Sequence, residues 1–196
     1  MTESEPTIIL ASSSPRRAAL LKQIGIEFEL APSQVGEHPH PDEAPADYII
    51  RIARAKVIAV ARTREAGLVI GADTVVVLEG RMLGKPEDKA DAQRMLRHLA
   101  GKWHAVMTGV ALYDVATRRE AADYDKTLVK FAPLTDREIE WYTRTGEPMD
   151  KAGAYGIQEL GGLFVDEIAG NYYNVVGLPL PLVYRLARQL GYTLLK

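Results

Sequence analysis

The sequence predicts an α/β fold built on a mixed sheet with flanking helices. Three observations carry that reading. Helix-period and strand-period stretches alternate along most of the chain. Residues 68–78 form a long apolar, β-branched run, the composition of a strand buried on both faces. Two further strand patterns, 105–115 and 125–131, follow one another with no helix between them, which predicts antiparallel pairing. A length of 196 residues fits one domain, 1–196, and shows no internal repeat or low-complexity segment.

Each element has a local cause. Residues 7–11 read as a short buried strand, and the serines at 12–14 as a turn. Pro15 opens a helix, where its missing N–H costs nothing. Leu20, Leu21 and Ile24 give that helix an apolar stripe, and Gly25 suits its C-terminal cap. Residues 26–30 alternate with period two, as a half-buried strand does. Residues 32–46 contain Pro32, Pro39, Pro41 and Pro45 and read as a mobile loop. Asp47 is placed to cap a helix running to about Arg64, with Ile49, Ile52, Ala53, Val57 and Val60 on its apolar face. Glu79-Gly80 reads as a turn after the long strand. A helix over 87–100 carries Ala92, Met95, Leu96 and Leu99, and Gly101 ends it. Thr135 with Glu138 spells a capping box. A glycine-rich stretch leads to a short strand at 163–165, and a last helix starts near Pro179 with Leu182, Leu186 and Leu190 on one face.

Composition narrows the function. Lys and Arg number 24 against 26 Asp and Glu, a net charge of -2, which disfavours a general nucleic-acid-binding face. No cysteine is present, so a disulfide scaffold, a thiolate zinc site and a Cys nucleophile are excluded. The N-terminus is acidic and polar, unlike a signal peptide, and no apolar run approaches the roughly 20 residues of a membrane span. The expectation is a cytoplasmic protein that binds neither membrane nor nucleic acid.

Four stretches carry chemistry. Ser12-Ser13-Ser14-Pro15-Arg16-Arg17 joins a strand to a helix start, where unpaired N–H groups and the positive dipole end suit an anion. Two arginines are unfavourable in that turn, and a bound phosphate would justify them; a serine N-cap with solvent-facing arginines is the plain alternative. Asp73-Thr74 interrupts an otherwise apolar strand. A carboxylate there needs a partner or a solvated cleft, and is open to metal ligation, to general-base chemistry, or to capping a turn. Lys56 falls on the apolar stripe of its helix, where the commoner outcome is an ammonium that snorkels to the surface and the other a pocket. Lys85 sits in the rigid turn before Pro86. Residues 150–158 hold glycines that permit close backbone approach, and Gln158, which can both donate to and accept from the edge of a base; a turn-rich loop is the plain reading. The four histidines show no metal-binding spacing.

Together these segments resemble the Maf family of nucleoside triphosphate pyrophosphatases. The matching pieces are Leu10-Ala11-Ser12-x-Ser14-Pro15-Arg16-Arg17, Gly71-Ala72-Asp73-Thr74, Leu83-Gly84-Lys85-Pro86, the 150–158 stretch, and Gly170-Asn171-Tyr172-Tyr173-Asn174-Val175-Val176-Gly177-Leu178-Pro179. They occur in the family's order and cover nearly the whole chain. The resemblance implies a Maf/ITPase-like fold with two lobes around a deep cleft, a homodimer, and cleavage of a nucleoside triphosphate to monophosphate and pyrophosphate. It implies a divalent cation, Mg or Mn, on Glu37 and Asp73. Asp73 matches the catalytic proton acceptor. Arg16, Thr74 and Gln158 match the base-selecting positions, Lys56 and Lys85 the triphosphate-binding lysines, and Ser12 belongs with the substrate-binding set. The combination resembles the branch acting on dTTP and UTP, and modified pyrimidine triphosphates fit the same pocket. The sequence departs from the family in one place: many members carry two adjacent acidic residues where this chain reads Gly36-Glu37. A non-catalytic nucleotide- or partner-binding protein, in keeping with the family's association with septum formation, is the rival class. The joint presence of Asp73, Lys56 and Lys85 favours the enzyme, since a binder needs no base.

Overall fold

The computed structural model describes residues 7–194. Its strands are β1 (Ile8–Leu10), β2 (Glu29–Leu30), β3 (Leu68–Leu78), β4 (Arg81–Leu83), β5 (Trp103–Asp114), β6 (Glu120–Phe131) and β7 (Val165–Ala169). Its α-helices are α1 (Pro15–Gln23), α2 (Pro45–Ala61), α3 (Lys89–Leu99), α4 (Asp136–Arg144), α5 (Tyr172–Val176) and α6 (Leu180–Gln189). The strand order is β2-β1-β3-β5-β6-β7, with β4 paired to β3. β1 runs parallel to β2 and β3, whereas β4 and β7 run antiparallel to β3 and β6. β5 and β6 are neighbours joined by a tight turn in which Asp114 N–H bonds Arg119 O at 2.9 Å. A parallel connection needs a crossover of a dozen or more residues, so this pair is antiparallel. The sheet is therefore mixed, as expected.

Several boundaries differ from the sequence reading, each for a local reason. β2 shrinks to two exposed residues. Gly25 adopts φ +73, and its N–H and that of Ile26 bond back to Lys22 O and Leu21 O. Residues 25 and 26 thus close α1 and cannot extend a strand. α2 begins at Pro45 with Ala44 as N-cap, and Asp47 lies in the first turn, where its charge faces the positive dipole end. Leu160–Phe164 winds into a 3₁₀ turn, so the strand expected at 163–165 starts at Val165 and continues to Ala169. The capping box at Thr135 and Glu138 forms as read.

The chain divides into two compact units. The first comprises the described residues up to Asp73, Thr108–Asp125, and those from Gly177 onward; the second comprises Thr74–Met107 and Lys126–Val176. In the first unit, Ile9, Val69 and Ala111 of the strands, with Ala11 just after β1, pack on Ala53, Val57, Val60 and Ala61 of α2. Two glycines permit that approach. A Cβ on Gly71 would lie 2.7 Å from Val57 Cγ1, and one on Gly109 would lie 2.5 Å from the backbone carbon and oxygen of Ile49.

The second unit buries Val76, Leu78, Leu96, Leu99, Phe131, Tyr142 and Phe164 together. His104 lies inside this core, its Nε2 2.8 Å from Tyr155 Oη and its ring edge-on to Phe131 at 5.1 Å between centroids. Burial pushes the imidazole down from 6.5 to about 4. The folded chain thus prefers neutral His104, while the unfolded chain protonates it below pH 6.5. Stability from this group is complete above pH 6.5 and is lost as the pH falls toward 4, by on the order of 3 kcal/mol. Urea unfolding at pH 7 and pH 4.5 checks this: the native chain should lose more stability over that step than His104→Gln, and equal losses would exclude the histidine as the cause.

Candidate active site

In the first unit, α1 starts where β1 ends. Ser14 is its N-cap, its hydroxyl accepting from Arg17 N–H at 3.5 Å, and Pro15 fills the first helical turn. Ser12 is buried, and its Oγ accepts from Ser14 N–H at 3.1 Å and from Arg17 Nη1 at 3.3 Å. Arg17 also donates from Nε to Gly177 O at 2.7 Å. The two arginines therefore differ: Arg16 is half-buried, while Arg17 turns inward and is enclosed. Burial pushes the Arg17 guanidinium down from its ordinary range, and the carboxylates of Asp73 and Glu37 act against that shift. The α1 start thus brings a buried cation toward two carboxylates.

Those carboxylates meet at Lys56. Its Nζ lies 2.7 Å from Asp73 Oδ1, 2.7 Å from Glu37 Oε1 and 3.3 Å from Ala72 O. Lys56 is 5% exposed, so the ammonium points inward and does not snorkel. The small Gly71, facing Val57 and Lys56 Cβ, lets α2 lie close enough to β3 for the contact. Asp73 is equally buried, and its sequence-level need for a partner is met by Lys56. Burial pushes the Asp73 carboxyl up; Lys56 pulls it back by charge and hydrogen bond, Arg17 adds to the pull, and Glu37 opposes it.

Glu37 comes from the proline-rich loop, which is tied down by Arg51 of α2. Arg51 grips Glu43 through Nε and Nη2, both at 2.6 Å, and donates to His38 O at 3.0 Å. That grip holds the Glu43 carboxyl down at about 2. The bidentate fork fixes the loop on either side of Glu43 and sets where Glu37 emerges. Glu37 reaches Lys56 with Gly36, not a second acid, beside it.

The second unit carries Thr74, Lys85 and Gln158. Thr74 is half-buried on β3, while Lys85 and Gln158 are exposed. The Lys85 turn is pinned to the glycine-rich stretch, because Gly153 N–H donates to Gly84 O at 3.0 Å. A Cβ on Gly153 would strike Val76 Cγ2 at 2.7 Å, and its φ is +69, so both space and backbone call for glycine. Further along, Gly156 N–H donates to Tyr142 Oη at 3.2 Å, and Tyr142 donates to Glu147 Oε1 at 2.7 Å. Glu147 also accepts from Leu160 and Gly161 N–H at 3.1 and 3.0 Å. The segment holding Gln158 is thus stitched at both ends through one carboxylate.

The chain matches the model of the Maf-like protein family over residues 7–190. It belongs to that family. Among its relatives, the dTTP/UTP pyrophosphatase of Geobacter sulfurreducens is 50% identical over 94% of this chain and 96% of its own. The dTTP/UTP pyrophosphatase of Symbiobacterium thermophilum is 49% identical over 94% of each chain. That of Syntrophomonas wolfei is 46% identical over 95% of this chain and 99% of its own. Among solved structures, the Ham1 protein of Staphylococcus aureus is similar at a TM-score of 0.46 and 15% identity, over 64% of this chain and 72% of that one.

For this Maf-like chain, the structure brings together Ser12 with Arg17, and Glu37, Lys56 and Asp73 with one another. Sequence reasoning gave Arg17 no role of its own, although it lies three and four residues before Leu20 and Leu21, on the apolar stripe of α1. An arginine on such a stripe is a signal for a buried, partnered cation. It also gave none to Lys151, which is buried and donates to Glu147 O and Asp150 Oδ1 at 2.8 Å. Part of the 170–179 stretch is scaffold: Asn174 Nδ2 donates to Val106 O at 2.9 Å and to Thr127 Oγ1 at 3.0 Å.

Proposed function

We propose that the chain is a nucleotide pyrophosphatase that hydrolyses dTTP and UTP to the monophosphate and pyrophosphate. The observation that carries this reading is Asp73. It is a buried carboxyl held by Lys56 and pushed above its ordinary range by burial, in a chain about half identical to relatives bearing that name. A base raised toward the working pH removes a proton from water more effectively than an ordinary carboxylate. Asp73 takes the proton of the water that attacks the α-phosphate, and no covalent nucleophile is required.

The cations oppose the charge that collects on the departing pyrophosphate. Arg16, Lys56 and Lys85 have that role, with Ser12 holding the turn that begins the phosphate-facing helix. A divalent cation, Mg or Mn, supplies further charge compensation when bound. The two carboxylates suit it: Glu37 and Asp73 already converge on a single cationic atom at 2.7 Å each. Among the described residues no group of three or more acidic or histidine side chains is arranged to hold a metal ion. Magnesium is commonly held by one or two carboxylates, with water and substrate phosphate completing its shell. Thr74 and Gln158 select the base. A cytoplasmic homodimer with no nucleic-acid partner completes the proposal; no described helix is long and apolar enough to cross a membrane.

A screen of canonical and modified nucleoside triphosphates, with pyrophosphate release as readout, tests the activity. UTP and dTTP should lead. Gln158→Ala should lower kcat/KM for these two by roughly 10- to 100-fold more than for purine triphosphates, as loss of a polar base-reading contact does. An equal loss for all bases would give Gln158 a structural role. Nucleotide binding without turnover of any triphosphate would favour the non-catalytic reading.

A further inference from the structure

We propose that Lys56 is a built-in placeholder cation: it occupies the point where Glu37 and Asp73 converge, so a divalent metal ion enters only together with the triphosphate. The inference rests on the reading of Glu37 and Asp73 as the carboxylates that hold the metal.

Three observations carry it. Lys56 Nζ lies at 2.7 Å from one oxygen of each carboxylate, a position that a metal ion bound by both would contest. The two carboxylates act on buried Arg17 as well as on Lys56, so among these four groups the charges offset. Ammonium and guanidinium together offset both negative charges. A divalent ion added alone would leave this set two charges in excess, in a place where Asp73 and Lys56 are each 5% exposed and water screens little. A triphosphate arriving with the ion reverses that balance.

Lysine suits the task because its ammonium is a compact charge on a flexible four-carbon stem. When a phosphate oxygen becomes available, Nζ can leave the carboxylates for it while the backbone of α2 stays in place. The same move frees Glu37 and Asp73. Lys56 then serves the triphosphate in one state and guards the carboxylates in the other, and Asp73 is spared an unpaired buried charge when no substrate is bound.

Mn²⁺ binding to the intact chain, followed by the electron paramagnetic resonance of free Mn²⁺ and by water-proton relaxation, tests this without turnover. Without nucleotide the native protein should bind Mn²⁺ no more tightly than about 1 mM, the weak end of the range for carboxylate sites. Lys56→Met should bind it at least tenfold more tightly, and Lys56→Gln, which keeps a hydrogen-bonding end, should do the same if the methionine variant fails to fold. Folded variants that bind no more tightly than the native chain would overturn the proposal. So would micromolar binding by the nucleotide-free native chain, a result that decides the matter even if neither variant folds. A UTP analogue with a methylene between the α- and β-phosphates provides the control. With it, the native chain should form a ternary complex with Mn²⁺, seen as relaxation enhancement beyond that of the analogue alone. Formation of that complex without any change in the Lys56 variants would sink the placeholder alone; its failure to form would remove the metal reading of Glu37 and Asp73, and the placeholder with it.

Discussion

Asp73→Asn should lower kcat/KM for UTP and dTTP by roughly 10²- to 10⁴-fold, the usual contribution of a positioned general base. The folded state should survive. Asparagine has the shape of the carboxylate it replaces, and Lys56 retains Glu37 as a counter-ion at 2.7 Å. The native carboxyl is already disfavoured in its charged form by burial, so removing the charge relieves a desolvation cost while giving up the attraction of Lys56. The two changes oppose one another, and the melting temperature should move by no more than about 5 °C, the shift given by one or two kcal/mol in a chain of this size. Steady-state pyrophosphate release and a circular-dichroism melt are the two measurements. Unchanged turnover in a folded variant would end the assignment of Asp73 as base. A large fall in melting temperature would mean that its charge is chiefly structural.

The second large effect lies away from the chemistry. Gly109→Ala should destabilise the chain by about 3 kcal/mol or more, the upper part of the range for overpacking a core. The added methyl would sit 2.5 Å from the backbone carbon and oxygen of Ile49 and 2.8 Å from Ile50 N, all on α2. A side chain can rotate out of such a contact, but backbone atoms move only with their helix. α2 also carries Lys56 and Arg51, so its displacement would disturb the grip on Glu37 and Asp73 as well as the core. Urea denaturation should show a lower midpoint with an unchanged slope, and the residual folded protein should show reduced turnover. A variant as stable as the native chain would show that β5 and α2 have slack between them.

The elements that sequence located well are those whose cause is local. The run at 68–78 is apolar on either side of Asp73-Thr74 and becomes β3 with the same bounds. Thr135 and Glu138 cap α4 because both partners lie within one helical turn. Pro15 and Gly25 bracket α1 for the same reason. Where pairing depends on distant segments, the structure departs from the local pattern. Residues 26–30 alternate correctly, yet only Glu29 and Leu30 find a place beside Ile9 and Leu10. The 163–165 strand moved because Glu147, more than a dozen residues away in sequence, holds the amides of Leu160 and Gly161.

The candidate site divides along the same line. Sequence by itself determined which residue types are available: a carboxylate at Asp73 in an apolar strand, lysines at 56 and 85, a serine-rich turn before two arginines, and family membership through motifs in order. Only the tertiary structure decided that Lys56 turns inward to two carboxylates, that Arg17 and not Arg16 is the enclosed arginine, and that Gly71 and Gly109 are the gaps through which α2 reaches the sheet. The physical reason is separation along the chain. Lys56 meets partners at positions 37 and 73, and Arg17 donates to Gly177, 160 residues away. Local pattern fixes what a side chain can do, whereas the long-range packing of backbone elements fixes which other charge it meets.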